Sequence, residues 1–139
     1  MTTSTHTSSR PGKILGPALW LVQALLALFY IYAGITKLST PPAELAKMMP
    51  WTAALPQLVT LTGMVDLLGG LGVLLPSLTR IQPRLTAMAA LGTIVLQTLA
   101  MTLHLSRGET MVVPMNLVLI ALAAFVFWGR GRALPIASR

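Results

Sequence analysis

From Ile14 to Thr36 the chain reads ILGPALWLVQALLALFYIYAGIT without one charged residue, and three more apolar runs of similar length follow, of which only the one at 57–75 holds a charge, Asp66. A helix needs about 20 apolar residues to cross the hydrocarbon core of a bilayer. The four runs predict an all-α transmembrane four-helix bundle with helices at about 17–38, 57–75, 84–105 and 111–128. Only 9% of the residues are charged and 55% are hydrophobic, where a soluble domain carries about 25% charged residues and needs them for its surface.

The breaks between the runs are equally informative. Residues 1–13 are polar, rich in Ser and Thr, and read as a disordered tail containing His6; the apolar run that follows is longer than a signal-peptide core of about 7–15 residues. Pro17 fits the first turn of a helix, where a missing N–H costs nothing, and Trp20 suits the membrane interface. STPPAELAKMMPWTAALP holds four prolines and two charges, so it predicts a short interfacial segment between the first and second spans rather than a span of its own. Pro76 and Ser77 are expected to end the second helix, LTRIQPR is a basic turn, and RGET links the last two spans. No repeat or second domain is visible, so 1–139 reads as one membrane domain.

The net charge is +7, which in a soluble protein suggests nucleic acid. Here the basic residues sit in blocks between apolar runs and are not interleaved with aromatics, which excludes a nucleic-acid groove reader and leaves a topology signal. Arg10, Lys13, Arg80, Arg84, Arg130, Arg132 and Arg139 fall on one side, and only Lys47 and Arg107 clearly on the other. The positive-inside rule then predicts a multi-pass protein of the cell membrane with both termini cytoplasmic. The chain has no cysteine, which removes disulfides, thiolate metal sites and a cysteine nucleophile. No metal cage, nucleophile elbow or phosphate-cradling loop is present in the sequence, so the residues name no reaction.

Asp66 is the first candidate for function, since a carboxylate at mid-membrane costs roughly 2.5–3.5 kcal/mol and normally faces the bundle interior with a partner. On a 3.6-residue helix it shares a stripe with Thr62, Gly63, Gly69, Gly70 and Val73, a small-residue groove open to a neighbouring helix or a flat ligand. Thr93, Gln97, Ala100 and His104 form a second stripe, and Gln23, Ala27, Tyr30, Gly34 and Lys37 a third. Lys37 ends helix one, His104 ends helix three and Asn116 begins helix four. The alternating topology therefore puts all three towards the outer face, with Asp66 about two turns below.

The candidate ligand-binding set is Asp66, His104, Lys37, Asn116, Gln97 and Tyr30, and each member has a plainer reading. Asp66 either joins a ligand or proton site or is internal glue paired with Lys37, Gln97 or His104. Lys37 either reaches inward or snorkels and caps its helix. His104 suits a quinone oxygen or a proton shuttle, or simply a hydrogen bond to a neighbour; haem ligation lacks a second axial histidine in the membrane. Asn116 and Gln97 also serve as interhelical hydrogen-bonders, worth on average about 0.6 kcal/mol.

YAGITKL, VDLLGGLGVLLP, and HLSRGE followed by PMNLVLIALAAFVFWGR resemble the DoxX-like family in order and spacing, from about Trp20 to Arg130. The family pattern usually has Glu before L-x-G-G, where this chain has the shorter Asp66. The resemblance implies a four-helix membrane fold. It also implies a choice of roles, because some members are linked to thiosulfate oxidation with quinone as acceptor, some to thiol and oxidant-stress complexes, and animal relatives assist receptor assembly. The expectation is an accessory subunit of a membrane redox system, with an outward polar pocket for a quinone-like or small apolar ligand and membrane or redox proteins as partners. The alternative is a non-enzymatic assembly or scaffold protein docking partner helices. Transport ranks last, because a four-helix chain without repeats needs to form a homo-oligomer for alternating access.

Overall fold

The computed structural model describes residues 12–139, which form helices and connecting turns with no strand among the described residues. Four long helices carry the fold: α1 (Gly12–Ser39), α4 (Val59–Thr79), α5 (Arg84–Ser106) and α6 (Val113–Trp128). Two short helices, α2 (Pro42–Met48) and α3 (Trp51–Ala54), fill the connection between α1 and α4. With their flanking turns the four long helices are each long and apolar enough to cross a membrane. Their neighbours run α1–α4–α5–α6 and back to α1, and α1 against α4 is the most extensive contact. This is an up-and-down ring, with both ends of the described chain at one end of it.

The distribution of side chains is the reverse of a water-soluble bundle. Gln23, Asp66, Thr93, Gln97 and Asn116 are buried, while Leu21, Leu28, Leu68, Leu99 and Val118 are exposed. In hydrocarbon an apolar side chain loses nothing by facing out, whereas a polar group needs a partner that only another helix supplies. The small apolar core of Leu26, Tyr30, Val73, Ala90, Leu119, Ala123 and Val126 fills what the polar residues leave.

Three boundaries differ from the sequence-based expectation. Helix α1 begins at Gly12, so Gly12 and Lys13 are helical and Pro17 lies inside rather than at the first turn. The rest of the expected tail, with His6 and Arg10, lies outside the described residues. Helix α4 runs through Pro76 to Thr79 and stops where Arg80 turns left-handed at φ 58°. A proline late in a spanning helix is tolerated because neighbouring groups satisfy the freed carbonyl. Helix α6 starts at Val113 after the 3₁₀ turn Thr110–Val112.

The small-residue groove on α4 is filled by protein. Gly63 and Gly70 face α1, where added Cβ atoms would meet Lys37 Cβ at 3.1 Å and Ala27 O at 3.0 Å. Gly69 and Gly72 face α5, against Thr93 Cγ2 at 3.1 Å and Ala89 Cβ at 2.9 Å. The glycines thus divide between two helix seams, so of the two occupants open to that groove it takes neighbouring helices and leaves no room at the glycines for a flat ligand.

Candidate functional site

The approach of α1 to α4 at Gly34 and Gly63 brings the end of α1 beside Asp66. Lys37 Nζ donates to Asp66 Oδ2 at 2.6 Å, with the two side chains only 12% and 5% exposed. The same ammonium lies 5.5 Å from the centre of the Trp51 ring, supplied by α3. Lys37 therefore reaches inward. Ring and carboxylate together replace the water that its charge has lost.

Opposite this pair, Asn116 Nδ2 donates to Gln97 Oε1 at 2.6 Å, tying α6 to α5. Asn116 Oδ1 is buried and finds no hydrogen-bond partner among the described residues, and neither does the hydroxyl of Tyr30. At the end of α5, His104 Nδ1 and Glu109 Oε2 are 2.7 Å apart, and Arg107 Nε donates to Glu109 Oε1 at 2.7 Å. The backbone closes the same turn, Glu109 N donating to His104 O at 2.8 Å.

Most of these groups, though neither Arg107 nor Tyr30, line one cavity of about 590 Å³. Lys37, Asp66, Gln97, His104 and Asn116 all reach its wall, and Phe29, Leu61, Val65, Leu96 and Leu119 supply apolar lining. Tyr30 does not reach it. Its side chain is fully buried in the core, because its position on α1 points between the helices about two turns below Lys37. Trp51 and Glu109 belong to the wall and were not among the sequence candidates. Trp51 had a signal in the prolines at 50 and 56 that bracket it, and Glu109 in being one of only three acids in the chain, five residues after His104. Among the described residues no group of His, Asp and Glu is arranged to hold a metal ion.

Glu109 makes the rim sensitive to acid. The hydrogen bond from Arg107, then the one with His104, hold its carboxyl below the usual carboxylate range. A carboxyl lowered on folding contributes stability above its unfolded value of about 4.3 and loses it as pH falls through the lower folded value. Protection at residues 107–110, with exchange corrected for its intrinsic pH dependence, is expected to be flat from neutral pH down to about 4.3 and to fall as pH drops from there through the lower folded value. Glu109→Gln should exchange fast throughout and lose the acid limb; an unchanged profile in that variant would remove Glu109 as its cause.

A model of the DoxX-like family matches residues 21–126 of this chain. No curated protein and no solved structure gives a significant match. The matched stretch holds the four long helices from Leu21 of α1 to Val126 of α6 and every cavity residue named above. A family match over most of the chain, together with four apolar helices able to span a bilayer, makes it a multi-pass membrane protein. The chain belongs to the DoxX-like family.

Proposed function

We propose that the protein is an accessory subunit of a membrane redox system whose cavity takes a quinone-like or other small apolar molecule. The observation that carries this reading is the cavity of about 590 Å³ with a mostly apolar wall and few polar groups, within the range of about 300–1,000 Å³ typical of small-molecule sites. The unpartnered Oδ1 of Asn116 on that wall is an acceptor and fits the hydroxyl of a reduced, quinol-like ligand. Asp66 and His104 are the acid–base side chains of the candidate set on that wall, and Lys37 is ion-paired to the carboxylate in an apolar setting. With no cysteine in the chain, electrons come from the bound molecule or from a partner protein. The redox role is the one carried by some members of the DoxX-like family.

The basic residues favour an orientation with both termini in the cytoplasm, so that the cavity end faces outward and α2 and α3 lie at the outer interface. Leu45 is buried there while Glu44 and Lys47 are exposed, the two-sided pattern of an interfacial segment.

Mass spectrometry of lipid-soluble molecules co-purifying with the protein in mild detergent tests the reading. The wild type is expected to carry a quinone or similar small molecule, and Asp66→Asn, shown by circular dichroism to be folded, to lose most of it. A folded wild type that carries only protein partners would favour the assembly role.

A further inference from the structure

The other end of the bundle holds a buried cation with no carboxylate beside it. Arg130 lies in the π-helical turn Gly129–Ala133 that follows α6, and it is only 7% exposed. It is drawn inside because Gly129 packs directly on Leu19, leaving no room for a Cβ, so the turn sits flush against α1. The partners that hold the guanidinium are all neutral. Nε donates to Gln23 Oε1 at 2.7 Å, Nη1 donates to the Leu134 carbonyl at 3.2 Å, and Cζ lies 4.9 Å from the centre of the Trp20 ring. Gln23 is fixed in turn, its Nε2 donating to Val73 O at 2.8 Å and Ser77 Oγ at 3.0 Å, and Ser77 shares a hydrogen bond with Thr86. Nη2 is buried and has no acceptor among the described residues.

An arginine cannot shed its charge, and a charged donor left unsatisfied in a buried site is unfavourable. The chain's three acids offer no relief. Glu44 is next to Lys47, Asp66 pairs with Lys37, and Glu109 is held by His104 and Arg107, all at the cavity end. Around Arg130 the helix ends and the chain beyond them contribute only further cations: Lys13, Arg80, Arg84, Arg132 and Arg139. Tryptophan prefers the headgroup level of a bilayer, so the stacking on Trp20 sets the guanidinium at the depth of lipid phosphates.

We infer that Arg130 is the centre of a phosphate site that takes the headgroup of an anionic phospholipid from the membrane face on the basic side. The weak link in its present surroundings is the longer bond to Leu134, where the chain leaves its last helical turn and becomes largely exposed. That segment is pinned further on, Arg80 Nε donating to Ala137 O and Arg139 N to Arg80 O, each at 3.0 Å. A phosphate that displaces the Leu134 carbonyl frees Nη1 beside the unpartnered Nη2, a planar fork that matches two phosphate oxygens. Nε stays on Gln23 throughout. A basic pocket between spanning helices is the established physical form of such headgroup recognition.

The test is native mass spectrometry of the delipidated full chain, titrated separately with phosphatidylglycerol, phosphatidylcholine and inorganic phosphate. One phosphatidylglycerol is expected to bind with at least about tenfold preference over phosphatidylcholine, which offers the same phosphate but brings a trimethylammonium group among the surrounding cations. Arg130→Gln should lose that preference, while Arg132→Gln, altered at an exposed arginine two residues on, should keep it. Arg130→Lys retains the charge should the glutamine variant fail to fold, and is expected to bind the lipid less tightly because it lacks the fork. Equal losses from Arg130→Gln and Arg132→Gln would reduce the effect to diffuse surface charge and overturn the site, as would full binding by Arg130→Lys. Inorganic phosphate that binds as tightly as the lipid and displaces it would overturn the lipid as its source.

Discussion

Replacing Lys37 by methionine is expected to destabilise the protein by about 3–5 kcal/mol, the scale of stranding one partner of a buried ion pair. Lys37 Nζ is 2.6 Å from Asp66 Oδ2, and the carboxylate side chain is 5% exposed, so the lost ammonium is poorly replaced by water. The double variant Lys37→Met/Asp66→Leu is expected to recover most of the loss, since an apolar pair of similar volume often does as well as the ions it replaces. Denaturant unfolding in mixed micelles measures both. A single variant as stable as the wild type would mean that the pair is not buried in the folded protein. A double variant no better than the single would mean that the two charges act independently. The folded double variant also serves the functional question, because it keeps the helix packing and removes the charges from the cavity wall. If it still carries the co-purifying molecule, the ion pair is a matter of folding alone.

Gly34→Val is expected to be the most damaging apolar substitution, costing about 3 kcal/mol or more, at or above the top of the usual range for overpacking. A Cβ at position 34 would lie 2.7 Å from Gly63 O and 2.9 Å from Leu67 N. Both are backbone atoms of α4, which cannot rotate away as a side chain tip can. Relief comes only by parting α1 from α4, and Lys37, one turn further along α1, then leaves Asp66. Loss of helix packing and loss of the ion pair are therefore expected together. Gly92→Ala is the matching control: nothing lies within 4 Å of its added Cβ, so stability should hold or rise by up to about 1 kcal/mol from the reduced entropy of the unfolded chain. Equal effects at 34 and 92 would show that glycine's helix propensity, not the seam, governs both.

The candidate site was partly legible as spacing. In the stripe Gln23, Ala27, Tyr30, Gly34 and Lys37 the first four are buried and Lys37 is partly buried, as a repeat at the helical period requires. Asp66, Gln97 and Asn116 are buried, as polar groups in hydrocarbon must be. Depth along the helix was harder to read. Gln23 and Tyr30 share a face with Lys37, yet Gln23 belongs to the Arg130 end and Tyr30 to the core. Arg130 carried the opposite lesson. By sequence it was one more basic residue of a topology signal, whereas it packs inside, because the contact of Gly129 with Leu19 is between residues far apart in the chain.

By itself the sequence determined that four helices form, that each is apolar enough to cross a membrane, and that Gln23, Asp66, Gln97 and Asn116 turn inward. Those outcomes depend on local composition and period, and on a solvent that penalises any unpaired polar group. The tertiary structure alone decided that Lys37 meets Asp66 rather than the interface, that His104 turns to Glu109, and that Gly63 and Gly70 receive a helix instead of a ligand. Each of these depends on the relative height and rotation of two packed helices. A shift of one residue, about 1.5 Å of rise and 100° of turn, exchanges one partner for another without changing the pattern along either helix.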